Sequence, residues 1–181
     1  ASRMLAQGKV VAWFQGPMAF GPRALGTRSV LADPSLRYAR HNINEFYRQV
    51  ALDEPLPLVF APSINLSTVV TASGGPFSSV DADVVPEWRD RLAPVTDSRH
   101  QARVQTLAGD QAPELQDLLE FHLRRTGVPA LVETNLAGPD EPVACTPRDA
   151  VRVVFSTAVD ALIIGRFVLM KDFWLLRSHG D

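Results

Sequence analysis

Apolar residues recur along this chain with two different periods, which predict strands and helices in alternation. Short apolar runs predict strands, whereas apolar residues three or four apart predict helices. Gly-, Pro- and Asp-rich stretches predict loops at 71–83 and 135–141. The predicted strands are 8–14, 56–60, 64–70 (one strand with the preceding run or two), 102–107, 129–133 and 161–164, and the predicted helices are 34–47, 113–126 and 147 to 157 or 158. This alternation predicts an α/β or α+β domain built on a twisted sheet.

The segment 113–126 has the clearest helical pattern. His122 lies beside its apolar stripe, and Gly127 is placed to end the helix. Another helix start is predicted where Thr146 can cap the first turn and Pro147 takes the first helical position. The stripe itself consists of Leu115, Leu118, Leu119 and Leu123.

A loop rich in glycine and proline follows the first predicted strand, over residues 16–29. It contains Arg23, Arg28 and Ser29 among five Gly and Pro residues. Bare, bent backbone lets peptide N–H groups approach an anion, and each guanidinium can bind a phosphate or carboxylate through paired hydrogen bonds. We therefore expect an anion site here; the alternative is a turn with solvent-exposed arginines.

The predicted strand 102–107 brings in a further candidate. Alternation leaves Arg103 and Gln105 together on the face opposite Ala102 and Val104. Arg103 is therefore either a ligand-binding arginine or a solvated arginine on an edge strand. We expect the guanidinium groups of Arg23, Arg28 and Arg103 to converge on one anion-sized cavity.

The composition favours a globular domain and argues against a nucleic-acid-binding, membrane-spanning or disulfide-linked protein. The 181 residues are 46% hydrophobic, enough for one domain with a proper core, and the net charge of −2 argues against bulk capture of nucleic acid or an anionic membrane. No apolar run is long enough to span a bilayer. Cys145 is the one cysteine, so an internal disulfide is impossible and a reducing cytoplasm fits. We expect Cys145 to be a small buried apolar residue, since no histidine lies in an obvious pairing motif to make it a nucleophile.

The chain also resembles a known family, the O-carbamoyltransferases that modify antibiotics and nodulation factors. Residues 16–29 match the segment Gly-x-Met-x-Phe-Gly-Pro-Arg-Ala-Leu-Gly-x-Arg-Ser that opens the C-terminal domain of these enzymes. Further matches keep their order over nearly the whole chain: Leu-Ala-Asp-Pro at 31–34, Phe-Ala-Pro-Ser at 60–63, Ala-Arg-Val-Gln-Thr at 102–106, Thr-Gly-Val-Pro at 126–129, Glu-Pro-Val-Ala-Cys-Thr-Pro at 141–147 and Asp-Ala-Leu at 160–162.

The resemblance implies a fold and a reaction. It implies that residues 1–181 form one YrdC-like domain, a twisted mixed sheet with flanking helices. Such a domain forms carbamoyl-adenylate from carbamoyl phosphate and ATP, with Mg²⁺. A threonylcarbamoyl-transferase-like N-terminal domain, which holds a further metal ion and is absent from this sequence, would transfer the carbamoyl group to a hydroxyl of a secondary metabolite such as an antibiotic.

The resemblance also implies roles for individual residues. Adenylation needs positioning and charge neutralisation rather than a side-chain nucleophile. Arg103 and Arg28 are then the implied catalytic residues. Donor or nucleotide binding is implied for Arg23, Ser29, Arg48, Gln105, Thr134 and Asn135. For Arg48 a solvated helix arginine, and for Thr134 and Asn135 an ordinary Asx turn, remain the alternatives.

The chain departs from the family pattern at several basic positions. The family segment Arg-Glu-x-Phe-Arg-Pro-Phe-Ala-Pro is represented by 53–62, in which both arginines are absent and Asp53 takes the place of one. An aspartate facing a polyphosphate would oppose its binding. Either Arg48 and Arg99 compensate, or this chain handles its donor differently. A weakened or lost adenylation step is a further alternative. Glu133 stands where the family has the first asparagine of Asn-Thr-Ser-Phe-Asn.

Two other functions therefore stay open. The first is a non-catalytic module that binds a nucleotide or docks the acceptor, with a degenerate site. The second is an RNA-binding or tRNA-modifying domain of the YrdC type, against which the sequence pI near 6.1 argues.

Overall fold

Eight short strands, most of them rich in Val, Leu, Ile and Ala, pair into one mixed sheet in the computed structural model, which describes residues 1–18, 23–24, 26–71, 79–107 and 111–171. The strands are β1 (Val11–Phe14), β2 (Arg28–Ala32), β3 (Pro57–Phe60), β4 (Ser79–Asp83), β5 (Gln101–Gln105), β6 (Ala130–Asn135), β7 (Ala161–Ile164) and β8 (Phe167–Met170). Their order in the sheet is β4-β5-β3-β6-β2-β1-β7-β8. Two pairs, β1 with β7 and β3 with β5, are parallel, and the other five are antiparallel.

Helices cover both faces of this sheet. They are α1 (Ser2–Ala6), α2 (Pro86–Leu92), α3 (Pro113–Thr126) and α4 (Pro147–Ser156), with a π-helical segment at His41–Arg48. Alternate strand residues form two separate cores. Val30, Leu58 and Val132 belong to the core that also contains residues of the π-helical segment and α4. Leu31, Val59 and Leu131 belong to the core shared with α1 and α3, which is called the α3 face below. This three-layer arrangement confirms the expected twisted sheet with flanking helices.

The predicted end of α3 and the predicted start of α4 are confirmed, while α4 ends at Ser156 rather than at residue 157 or 158. The first of these helices spans the predicted residues, and Gly127 ends it with a φ of +68°, a conformation that favours glycine. At the start of α4 the Thr146 hydroxyl accepts the Asp149 N–H at 3.3 Å, while the Asp149 carboxylate accepts the Thr146 N–H at 2.8 Å. This reciprocal cap explains why the short helix begins at Pro147.

Other predicted elements differ from the structure. The strand predicted over 64–70 is wrong: residues 66–68 form a 3₁₀ turn, because the Asn65 side chain accepts the Ser67 N–H at 3.2 Å. Part of the loop predicted over 71–83 is strand β4, whose buried Ala82 alternates with exposed Asp81 and Asp83, and residues 72–78 lie outside the described part.

The segments on either side of Asp33 also differ from prediction. The predicted helix over 34–47 begins later, since the Asp33 carboxylate accepts the Ser35 N–H and hydroxyl and fixes a turn. The end of the predicted loop 16–29 is the start of β2, which pairs on both edges.

Helices α1 and α2 and strand β8 had no predicted counterpart. No helix in the described ranges is long and apolar enough to cross a membrane.

Candidate functional site

A cavity of about 270 Å³ opens at the ends of β5 and β6, next to the segment that precedes β2. Alternation along the strands places Gln105 and Glu133 on the α3 face, since they pair with Val59 and Leu31 of that core. The wall consists of Arg23, Ala24, Arg48, Pro55, Pro57, Arg103, Gln105, Glu133, Thr134 and Asn135. Six of the eight sequence-predicted site residues are therefore brought together.

Arg103 approaches the cavity from β5, on the side of the sheet where β4 is the edge strand. Its Nε donates to Asp81 Oδ1 at 3.1 Å, and its Nη1 lies 3.7 Å from Glu54 Oε1. The Arg103 side chain is 30% exposed, so solvent and an incoming anion can both reach it. Two carboxylates thus neutralise this guanidinium in the structure, and a bound anion would compete with them.

Arg48 reaches the same cavity from the end of the π-helical segment. Its Nη1 donates to Asn44 Oδ1 at 2.8 Å, which fixes the side chain. Burial lowers the pKa of Arg48; Glu54 raises it, and the positive charges of Arg103 and Arg23 lower it again. The guanidinium remains protonated at any physiological pH. Arg23, Arg48 and Arg103 therefore lie near enough to repel one another, and an anion bound among them would reduce that repulsion.

The end of β6 supports the segment that bears Arg23. Asn135 Oδ1 accepts the Ala24 N–H at 2.9 Å, and the Tyr47 hydroxyl lies 2.7 Å from the Asn135 carbonyl oxygen while accepting the Ala137 N–H at 2.9 Å. Burial raises the pKa of Tyr47, so this phenol stays neutral. Asn135 is therefore a positioning residue as well as part of the wall.

Arg28 does not line the cavity. Its Nη1 donates to the carbonyl oxygens of Gln15 at 2.9 Å and Gly16 at 3.1 Å, and the guanidinium lies 3.5 Å from the centroid of the Phe14 ring. The residue is 5% exposed. The expected convergence of three guanidinium groups therefore holds for Arg23 and Arg103, with Arg48 beside them, while Arg28 fastens the start of β2 to the end of β1.

Ser29 is also outside the cavity wall. It is fully buried, and its hydroxyl donates to Glu133 Oε1 at 2.6 Å. Its contact with a ligand would therefore be indirect, through Glu133.

Among the polar residues of the described cavity wall, Glu133 is the one to which the sequence analysis gave no function. It is buried in β6 and accepts the Gly26 N–H at 2.5 Å as well as the Ser29 hydroxyl. Burial raises the pKa of Glu133, against the lowering influence of these two donors and of Arg23. The available signal was its departure from asparagine in an otherwise matching family segment.

The residues expected to modify the donor site fall in different places. Asp53 is exposed and does not line the cavity; the carboxylate that approaches Arg103 is that of Glu54. Arg99 is exposed and pairs with Asp97 at 3.2 Å, so it does not replace the missing arginines in the cavity wall. Cys145 is exposed, which corrects the expectation of a buried apolar residue.

A smaller cavity of about 170 Å³ adjoins the first one. The two share Arg48, Thr134 and Asn135, and the second is bounded further by the segment after β6. An elongated ligand could therefore extend past the three shared residues. No group of three His, Cys, Asp or Glu suited to a metal ion occurs among the described residues, and the expected Mg²⁺ stays a prediction.

Solved structures support the same fold. The full-length HypF in its phosphate- and nucleotide-bound form matches with a TM-score of 0.64 and 14% identity over 90% of this chain and 20% of HypF. YciO of E. coli matches with a TM-score of 0.61 and 14% identity over 94% of this chain and 85% of YciO. Sua5 of P. abyssi, as an H234A/Y235A variant, matches with a TM-score of 0.61 and 12% identity over 91% of this chain and 47% of Sua5. These likenesses confirm the YrdC-like fold.

Sequence relatives point to one family. Nodulation protein NolNO of Sinorhizobium fredii is 31% identical over 94% of this chain and 26% of its own length. Nodulation protein U of Azorhizobium caulinodans is 34% identical over 88% of this chain and 30% of its own length. The chain thus spans less than a third of either relative. A family model described as "Carbamoyltransferase C-terminus" matches residues 2–171. With the ordered motifs and the fold, this match means that the chain belongs to the carbamoyltransferase C-terminus family.

Proposed function

We propose that this chain forms carbamoyl-adenylate from carbamoyl phosphate and ATP, as the donor-activating part of a carbamoyltransferase. The observation that supports it most is the convergence of Arg23, Arg48 and Arg103 on one cavity that also contains short polar side chains. Guanidinium groups bind phosphate oxygens through paired hydrogen bonds, and three of them suit a polyanionic ligand.

The proposed reaction has two steps. Water cleaves carbamoyl phosphate into carbamate and inorganic phosphate. A carbamate oxygen then forms a bond to the α-phosphorus of ATP, the bond from that phosphorus to the bridging oxygen breaks, and pyrophosphate leaves. Negative charge accumulates on phosphate oxygens in this second step, so neutralisation by fixed cations is the main contribution that a protein can make.

The polar residues of the cavity wall take two roles under this proposal. Arg23, Arg48 and Arg103 bind phosphate oxygens. Thr134 and Gln105 offer neutral polar groups for the carbamoyl amide and carbonyl; Gln105 is 3% exposed and its Nε2 has no hydrogen-bond partner within the described part of the chain. A buried amide without a partner costs about 1–3 kcal/mol, and a ligand oxygen would remove that cost.

Mg²⁺ enters the proposal only as an ion that accompanies the nucleotide. Glu54 and Asp81 are paired with Arg103, and one oxygen of Glu133 already accepts two hydrogen bonds. The acceptor is proposed to be a hydroxylated small molecule such as an antibiotic. Its binding and the transfer step are proposed to belong to an N-terminal threonylcarbamoyl-transferase-like domain with its own metal ion.

Release of pyrophosphate from ATP tests the proposal. The full-length protein should release pyrophosphate only when carbamoyl phosphate is present, and Arg103→Ala should abolish this release with the fold intact. Arg99→Ala is the matched control, because Arg99 is exposed and outside the cavity wall. Release that persists undiminished in Arg103→Ala would contradict the role of Arg103.

A non-catalytic module is the second candidate. It is favoured by the two carboxylates that neutralise Arg103. Calorimetry with ATP and carbamoyl phosphate separates the candidates, since binding of both ligands without any pyrophosphate release supports the module.

A further inference from the structure

Glu133 places a buried carboxyl group in the wall of a cavity that is lined by three arginines. The residue is 6% exposed and lies on β6, opposite Leu31 of β2. Arg23, Arg48 and Arg103 line the same cavity. An ionised carboxylate here would repel the anion that the three guanidinium groups attract.

The two oxygens of Glu133 have different surroundings. Oε1 accepts the Gly26 N–H at 2.5 Å and the Ser29 hydroxyl at 2.6 Å, which uses the acceptor positions of that oxygen. Oε2 accepts no hydrogen bond from any residue in the described ranges. This oxygen is also not completely enclosed by protein atoms, so a ligand can reach it. A proton on this carboxyl group therefore belongs on Oε2, where it can donate toward the cavity.

The charged neighbours decide how readily Glu133 accepts that proton. Burial raises the pKa of Glu133, which favours the neutral acid; the Ser29 and Gly26 donors and the charge of Arg23 oppose it. On the far side of the cavity Glu54 and Asp81 pair with Arg103 and reduce its effect. Arg28, on neighbouring β2, is held by the Gln15 and Gly16 carbonyls away from the cavity wall. A bound anion adds negative charge beside Glu133 and shifts the balance further toward the neutral form.

We propose that Glu133 binds the anionic ligand as a neutral carboxylic acid, donating a hydrogen bond from Oε2–H to a ligand oxygen. At any pH at which Glu133 is ionised in the free protein, binding of the anion is then coupled to uptake of one proton. This inference rests on the proposed function only in requiring that the cavity bind an anion.

Because binding is coupled to protonation of Glu133, the proposal predicts how the affinity for the anion changes with pH. Below the pKa of Glu133 in the free protein the affinity is constant, because the neutral acid is already present. Above that pKa, affinity falls about tenfold per pH unit, since each binding event must first protonate the carboxylate. Glutamine is the matched substitution: its amide oxygen can accept from Gly26 and Ser29, and its N–H can donate to the ligand at every pH.

Sulfate is the probe for this test, because it remains a dianion from about pH 5 to about pH 9, whereas phosphate itself titrates near neutrality. Any proton taken up on sulfate binding is therefore taken up by the protein. Sulfate affinity is measured by calorimetry for the wild type, Glu133→Gln and Glu54→Gln. The expected result is an affinity that falls with rising pH for the wild type and Glu54→Gln. For Glu133→Gln we expect a flat affinity close to the wild-type value at low pH.

Proton uptake in the wild type gives a second readout that needs no variant. Calorimetry in buffers of different ionisation enthalpy should show up to one proton taken up per sulfate, in the same pH range where affinity falls. Wild-type affinity that stays flat to about pH 9, or a parallel fall in Glu133→Gln, would overturn the role of Glu133 while leaving the anion cavity in place. Absence of sulfate binding at every pH would overturn the cavity itself, and with it the proposed function.

Discussion

Asp81 on β4 directly faces Arg103 on β5 across the antiparallel pair, with 3.1 Å between Asp81 Oδ1 and Arg103 Nε. The Asp81 carboxylate thus accepts a hydrogen bond from Arg103 Nε that a ligand oxygen could otherwise accept, while Glu54 lies beside Nη1 of the same guanidinium. Because the Asp81 side chain is 57% exposed, solvent screens the pair and limits its strength.

Removing the Asp81 charge should therefore strengthen anion binding. Asp81→Asn removes a pair worth about 0.5 kcal/mol at such exposure, so the sulfate dissociation constant should fall roughly twofold. Calorimetry at low ionic strength measures it. Asp83→Asn is the control, because Asp83 lies two residues further along β4 and accepts from Gln101 rather than Arg103. Equal affinities for the wild type and both variants would show that Asp81 does not compete.

Arg48 should matter to ligand binding much more than Arg99 does. Arg48→Ala removes a cation that Asn44 holds at the cavity, and we expect sulfate affinity to fall about tenfold or more. Arg48→Lys should restore part of the loss, since it keeps the charge without the planar fork. Arg99→Ala, at an exposed arginine, should leave the sulfate affinity unchanged. Similar losses of affinity in both alanine variants would mean that sulfate binding depends on the net charge of the protein and not on the position of Arg48.

Arg28 should contribute to stability rather than to binding. Arg28→Ala removes the donor to the Gln15 and Gly16 carbonyls and the cation above the Phe14 ring. We expect the free energy of unfolding in urea to fall by about 2–4 kcal/mol. Arg166→Ala, at an exposed arginine in the β7–β8 turn, should leave it unchanged. Full stability of Arg28→Ala together with lost sulfate binding would contradict this assignment.

The buried pair of Asp33 and His122 should make stability depend on acid pH. His122 Nε2 lies 3.1 Å from Asp33 Oδ2, and both side chains are almost completely buried. Burial by itself raises the pKa of Asp33, but the contacts with His122 and Ser35 outweigh it and hold that pKa below the usual value of an aspartate. Asp33 therefore stabilises the fold fully above about pH 4, and this contribution is lost as pH falls through the lower pKa of the folded state.

Asp33→Asn tests that pair. At neutral pH the variant should lose about 3 kcal/mol of unfolding free energy, because a buried carboxylate that His122 and Ser35 contact has been removed. At an acid pH below the pKa of Asp33 in the folded state, the wild type has lost the same contribution, so the difference between them should shrink. Urea unfolding at both pH values measures this, with Asp117→Asn on the exposed side of α3 as the control. A difference that stays constant with pH would argue against an ionised Asp33.

Local signals predicted helices α3 and α4 and strands β1, β3 and β7 well. Gly127 and the Thr146–Asp149 cap act within a few residues of the chain, and so do the apolar runs of β1, β3 and β7. Strand β2 was missed because its polar residues are satisfied by distant partners: Ser29 by Glu133, and Arg28 by the end of β1. No local pattern in the sequence reveals such pairing.

The candidate site was predictable in membership but not in arrangement. Glycines, arginines and family motifs indicated Arg23, Arg48 and Arg103. The sequence could not show that Arg28 turns away from them, since Arg23 and Arg28 are equally cationic and only the sheet decides which side chain meets buried carbonyls. The functional importance of Glu133 likewise depends on which groups β6 brings beside it.

Isotope exchange between pyrophosphate and ATP tests the central claim most directly, because it reports reversible formation of an adenylate and nothing further along the reaction. With the full-length protein, labelled pyrophosphate should enter ATP only when the carbamoyl donor is supplied, and Arg103→Ala should lose the exchange while Arg99→Ala keeps it. Exchange that is independent of the donor, or that survives unchanged in Arg103→Ala, would contradict adenylation in this cavity.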